Sequence, residues 1–154
     1  MAARLDSVCK FICERGDWKV TNLQLQKILY LAQMVYMGQN DGRRLADASF
    51  EAWDYGPVEP SVYRKVRMFG AGAIQDVFHE ARPFKDTDDR KALLVQICDD
   101  LLPRKAGELV EITHWKDGAW ARHYESGIRG IPIPDADIAA EYNDRIRGGR
   151  LKVS

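Results

Sequence analysis

Long hydrophobic runs are missing from this 154-residue chain, and no stretch has the roughly 20 apolar residues that a membrane-spanning helix needs. A dominant charge sign is missing too. Lys plus Arg number 23 and Asp plus Glu 23, so no global field draws the chain to nucleic acid or an anionic membrane. Histidine is scarce: His79, His114 and His123 are the full set, and none sits in an H-E-x-x-H pattern. Cys9 and Cys13 lie four residues apart without the short-spaced Cys or His partners of a zinc knuckle, so no metal site is expected. With Cys98 the cysteines are three, an odd number that reads as reduced thiols in a cytoplasm rather than a disulfide framework. The first residues, MAARLDSVCKFIC, carry charges where a signal-peptide core would be apolar, which also favours a cytoplasmic location. Gly70-Ala71-Gly72 lacks the lysine and hydroxyl of a phosphate loop, and no local signature marks a Cys–His nucleophile pair. These gaps exclude most reaction centres, so no cofactor is expected, and they turn attention to binding.

What is present is mostly helical periodicity. A chain of this length makes one domain, burying about 68–70% of its unfolded surface. Leu5, Val8, Cys9 and Ile12 set an amphipathic helix over residues 3–15, with Gly16 placed as a left-handed cap. Thr21 and Gln24 have capping-box spacing, and Val20 with Leu25 has that of a hydrophobic staple. From there Leu25, Ile28, Leu29, Ala32, Val35 and Tyr36 form one stripe, and Leu31, Met34 and Met37 widen it. A helix apolar nearly all round is a central one, expected to end at Gly38 and the following Asn40-Asp41-Gly42. Residues 49–58 read as an extended component: a short aromatic segment, a Gly56-Pro57 turn, and Val58 held extended before Pro60. Pro60 opens a third helix with Val62, Val66 and Phe69 inside. Residues 73–85 fit either a short strand or a loop on the core. An acidic start at residues 86–89 leads to a fourth helix facing inward through Ala92, Leu93, Val95, Ile97 and Leu101. A fifth uses Ala106, Leu109, Val110 and Ile112, and a last one, capped by Asp135, uses Ile138, Tyr142 and Ile146. The expected fold is mainly α, a single domain over residues 1–147 around the central helix, with a flexible basic tail over 148–154.

Individual residues admit competing readings. Trp53 reads as a core aromatic, whereas Tyr55 beside the Gly56-Pro57 turn can serve the core or the surface. Lys27, on the central helix near Tyr30, either snorkels to water or pairs with Glu51 or Asp54, and the pair is the preferred reading. His114 follows an apolar helical face and reads as a core or cap histidine before a ligand or base. Arg145, Arg147, Arg150 and Lys152 read as a solvated basic end.

Three segments taken together resemble a known family. They are LQKILYLAQMVYMG (residues 25–38), AWDYGPVEPSVY (52–63) and ITHWKDGAW (112–120), in that order. They include Lys27 and Tyr30, the Trp53-Asp54-Tyr55-Gly56-Pro57-Val58 turn, Tyr63 in the next helix, and Thr113-His114 ahead of Trp120. The pattern resembles the Panacea domain, the group of SocA-like antitoxins and phage-associated relatives, over about residues 5–145. The resemblance implies a small helical protein that neutralises a toxin encoded in the adjacent gene by binding it, either blocking it or delivering it to a ClpXP-type protease. Because partners differ across the family, the contact surface is expected beside the fold-defining motifs: Tyr55, Glu59, Arg64 and Arg67. The competing reading, from another class, is a small histidine-dependent enzyme centred on His114.

Overall fold

The computed structural model describes residues 1–148, so apart from Gly148 the basic tail lies outside the described residues. Its centre is α2 (Asn22–Gln39). The capping box forms as spaced: the Gln24 N–H donates to Thr21 Oγ1 at 3.3 Å, and the Thr21 N–H donates to Gln24 Oε1 at 3.0 Å. Every residue from position 25 to position 35 is buried. Such a helix must be covered all round, and α1 (Leu5–Arg15), α4 (Asp89–Leu101), α5 (Ala106–Thr113) and α7 (Asp135–Arg147) pack around it. The helix runs one residue past Gly38. That glycine serves packing rather than termination, since a Cβ there would stand 2.1 Å from Tyr142 Cγ on α7. Gly16 is likewise a close-approach residue, 2.3 Å from Val20 Cγ2 by the same measure. Its φ of −91° is not left-handed; Asp17 and Trp18 make that turn at +54° and +55°.

The extended component is a three-stranded antiparallel sheet in the order β2-β1-β3, made by β1 (Phe50–Trp53), β2 (Gly56–Val58) and β3 (Pro132–Ile133). In the hairpin Trp53 faces Gly56, whose φ of +111° is open to glycine and strained for other residues. The outer edge of β2 does not meet water. Gln26 on α2 donates to Glu59 O at 3.2 Å and accepts from Glu59 N at 2.7 Å, while Lys27 Nζ donates to Pro57 O at 3.0 Å. Two polar side chains of the central helix thus satisfy an edge that would otherwise invite another strand. Pro60 opens α3 (Pro60–Val66), with Val62 and Val66 inside and a 3₁₀ turn, Arg67–Phe69, after it.

Residues 73–85 form a loop rather than a strand, held by Ile74 N–H donating to Val20 O at 2.9 Å and by the buried Ile74 and Phe78 side chains. On α4 the buried stripe is Leu94, Ile97, Cys98 and Leu101; Ala92 is exposed and Leu93 and Val95 are half-buried, a face turned from the expected one because Cys98 fills the i+4 place. On α5, Leu109 and Thr113 are the buried pair, with Ala106, Val110 and Ile112 half-buried. On α7, Ile146 is 49% exposed and Arg145 takes the interior place expected for it; Pro134, not Asp135, is the N-cap residue. Asp135 instead pairs with Arg44 at 2.7 Å. All three cysteines are free and buried, and burial pushes the Cys13 and Cys98 thiols up to about 12. Among the described residues, no helix is long and apolar enough to cross a membrane.

Candidate functional site

The three sequence segments converge on one point. Lys27 from α2, Gly56 from the hairpin and Thr113 from the end of α5 pack so tightly that a Cβ on Gly56 would lie 3.0 Å from Thr113 Oγ1 and 3.1 Å from Lys27 Nζ. Thr113 can sit there because its hydroxyl donates back within its own helix, 3.1 Å from Leu109 O. α6 (Ala119–His123) adds the fourth side: Trp120 Nε1 donates to Trp53 O at 2.7 Å, and its ring stacks on His114 at 3.8 Å and on Tyr124 at 4.6 Å. The motifs co-occur in the sequence because they form one knot in space.

Lys27 is fully buried, and no carboxylate pairs with it among the described residues; the expected partners, Glu51 and Asp54, bond to Trp53 Nε1 and the Tyr124 hydroxyl instead. Burial lowers its pKa to about 7. A lysine donating to a single carbonyl loses its hydration without regaining a counter-charge, which favours the neutral amine. His114 is shifted downward as well, first by burial and then by the Lys27 charge, with a hydrogen bond to the Tyr55 backbone acting the other way. Its Nε2 is buried without a partner. The ring is half-buried and stacks flat on Trp120, so it packs the knot from its outer side. Among the described residues, no three His, Cys, Asp or Glu side chains group as metal ligands.

Outside the knot lies a groove of about 640 Å³ between the start of α2, the hairpin, Gly70-Ala71 and Ile128-Arg129. Its walls include Leu23, Trp53, Val58 and Tyr63. Trp53 is thus half-buried rather than a sealed core residue. One side packs edge-to-face on Tyr63 at 4.9 Å, and the Arg129 guanidinium lies 5.0 Å from its ring centre. Tyr55 lines the mouth and is 73% exposed. Arg64 and Arg67 are exposed on the neighbouring α3 and 3₁₀ turn. Glu59, expected at the surface with them, is only 5% exposed. Its carboxylate accepts from Ser61 N at 2.7 Å and Ser49 N at 3.2 Å, capping α3 and holding the chain ahead of β1, so it cannot serve as a contact residue.

A second polar centre escaped the sequence reading. Glu141 on α7 is 1% exposed and accepts from the Tyr30 hydroxyl at 2.7 Å, Ala119 N at 2.9 Å and Arg145 Nε at 2.8 Å. Arg145, buried rather than part of a solvated basic end, also donates to Ile112 O at 2.6 Å and lies over the Trp115 ring at 4.9 Å. Burial first, then the Glu141 charge, raises the Tyr30 phenol well above its ordinary value. The one available signal was the i, i+4 spacing of Glu141 and Arg145 on the same side as Ile138 and Tyr142.

The family model described as "Antitoxin SocA-like, Panacea domain" matches residues 25–121, a span that holds Lys27, the hairpin, Thr113, His114 and Trp120. Antitoxin SocA of Caulobacter vibrioides (strain NA1000 / CB15N) is 30% identical in a 117-position alignment that covers 68% of this chain and 60% of the relative's own length. No solved structure matches. With the whole knot inside the matched span, the chain belongs to the antitoxin SocA-like, Panacea-domain family.

Proposed function

We propose that this protein is an antitoxin that neutralises a toxin encoded in the adjacent gene by binding it directly. Family membership and the name of the Caulobacter relative support the reading. The structural observation that carries it is Tyr55, a large aromatic held 73% exposed at the mouth of an apolar groove by a tightly packed knot behind it. Contiguous exposed apolar surface around a cleft marks an interaction site, and Tyr and Arg are the side chains that most often dominate binding energy. Tyr55, Arg64 and Arg67 are the proposed contact residues. The hairpin presents Tyr55, and α3 with its 3₁₀ turn presents Arg64 and Arg67, so little backbone ordering is left to be done on association.

Co-expression tests the reading. The adjacent gene product, toxic alone, is expected to lose its toxicity and to elute with this protein as one complex on size exclusion. Unchanged growth inhibition with no complex contradicts it. Within the same reading, delivery to a ClpXP-type protease predicts that the toxin's half-life falls when this protein is present, whereas blocking alone leaves the half-life unchanged or longer.

A further inference from the structure

We propose that the groove beside the hairpin receives an aromatic or aliphatic anchor side chain carried on an acidic segment of a protein partner, with Arg129 and Arg67 facing the acidic residues. The inference deepens the antitoxin reading and rests on it for the partner's identity. Three observations give the occupant its chemistry. The volume, about 640 Å³, lies in the range that holds a few buried side chains, and the Trp53, Tyr63, Val58 and Leu23 walls favour an apolar one. The rim is apolar as well: Tyr55 and Ile128 line the groove at 73% and 49% exposure, and Met68, two residues before the lining Gly70, is 74% exposed. A small ligand in the cleft leaves that rim in water, whereas a protein surface covers cleft and rim together.

Charge supplies the third. The chain as a whole is neutral, yet Arg129 lines the groove and Arg64 and Arg67 are exposed on the adjoining α3 and 3₁₀ turn. Arg129 stands over Trp53, and Arg67 lies one helical turn from Tyr63. Neither forms an ion pair among the described residues, and neither does Arg64. The nearest carboxylates are both engaged: Asp54, in the lining, accepts from the Tyr124 hydroxyl at 2.7 Å, and Glu51 accepts from Trp53 Nε1 at 2.9 Å. Thr21, Asn22 and Leu23 turn the start of α2 toward the groove, and that first turn carries no acidic residue to offset its positive end.

Two arms test the inference. On the protein alone, amide shifts are followed by NMR with indole-3-acetate, indole-3-acetamide and tryptamine. The acid is expected to shift Leu23, Trp53, Val58 and Tyr63 and to bind about two- to fivefold tighter than the neutral amide, with tryptamine weakest. Arg129→Gln should remove that order. Equal binding of the three, or shifts away from the groove, overturns the inference whatever the complex does. In the second arm the complex with the adjacent gene product is titrated. Arg67→Glu with Arg129→Glu should weaken it about tenfold or more, increasingly at low salt, while Arg82→Glu, exposed beside α1 and outside the groove lining, leaves it unchanged. Saturating indole-3-acetate should compete with the partner. A complex that forms normally with both reversals, or with the groove filled by indole-3-acetate, overturns the inference and leaves the antitoxin reading standing. Absence of any complex defeats the antitoxin reading, and the first arm then decides the groove on its own.

Discussion

Two regions of this protein bury charge, and they do so in opposite ways. At the α7 centre, Glu141 and Arg145 neutralise each other, and Tyr30, Ala119 and Ile112 take up their remaining hydrogen-bonding capacity. At the hairpin, Lys27 is buried with one carbonyl and no counter-charge. The first arrangement is complete in itself and ties α2, α5, α6 and α7 together. The second is incomplete, and it lies under the groove whose lining includes Tyr55 and Arg129. A self-satisfied network serves architecture; an amine buried without a counter-charge is pushed toward its neutral form and keeps bonding capacity unused. The difference teaches that burial alone does not say how a polar residue is accommodated, whereas completeness of the local bonding does.

The sharpest way to break the comparison is at its complete end. Glu141→Ala strands Arg145 and the Tyr30 hydroxyl, and should cost about 3–5 kcal/mol in urea unfolding, the range for one-sided removal from a buried pair. A cost below 1 kcal/mol would remove the distinction between the two regions. Lys27 gives the next effect, read through pH. Its folded pKa, lowered to about 7, lies below the ordinary 10.5. Between those values the unfolded chain holds a proton that the folded one has lost, so stability rises with pH through that window and is flat below it. Lys27→Met should abolish the rise, and at pH 6 should be at least as stable as the parent protein. A parallel pH profile in parent and variant would mean Lys27 is not desolvated. Gly56→Ala comes third. It strains a φ of +111° and crowds Thr113 and Lys27, with an expected loss of about 1–3 kcal/mol by thermal unfolding. His114→Gln loses the flat contact with Trp120 and should lower stability by about 0.5–1.5 kcal/mol while keeping most partner binding. Intact stability with binding abolished would reassign that histidine to a functional site.

The sequence made the local features readable and left the distant ones hidden. The capping box and the all-round apolar central helix follow from neighbours in sequence and formed as spaced, whereas the turn expected at Gly56-Pro57 falls earlier, at Asp54-Tyr55, with Gly56 and Pro57 opening β2. The knot was visible only as the co-occurrence of three motifs. The Glu141 centre was not visible, because its bond to Tyr30 joins residues 111 positions apart and a carboxylate on a helix ordinarily reads as solvent-facing. Glu59 misled for the same reason: beside a turn it looks exposed, and only the return of the chain at Ser49 encloses it. Gly38 looked like a stop because helix-ending glycines are common, whereas here a crossing helix requires the missing Cβ.

The claim that the groove rim binds the partner while the knot behind it only holds it in place is tested most directly by Tyr55→Ala and Arg64→Ala. Each variant is titrated against the adjacent gene product, with circular dichroism on the same samples. Both side chains are exposed, so each substitution should leave the helical signal unchanged and the stability within about 0.5 kcal/mol. Partner affinity should fall, by about 2 kcal/mol or more where the side chain sits at the centre of the contact. Full affinity in both variants, or loss of the helical signal in Arg64→Ala, contradicts the account.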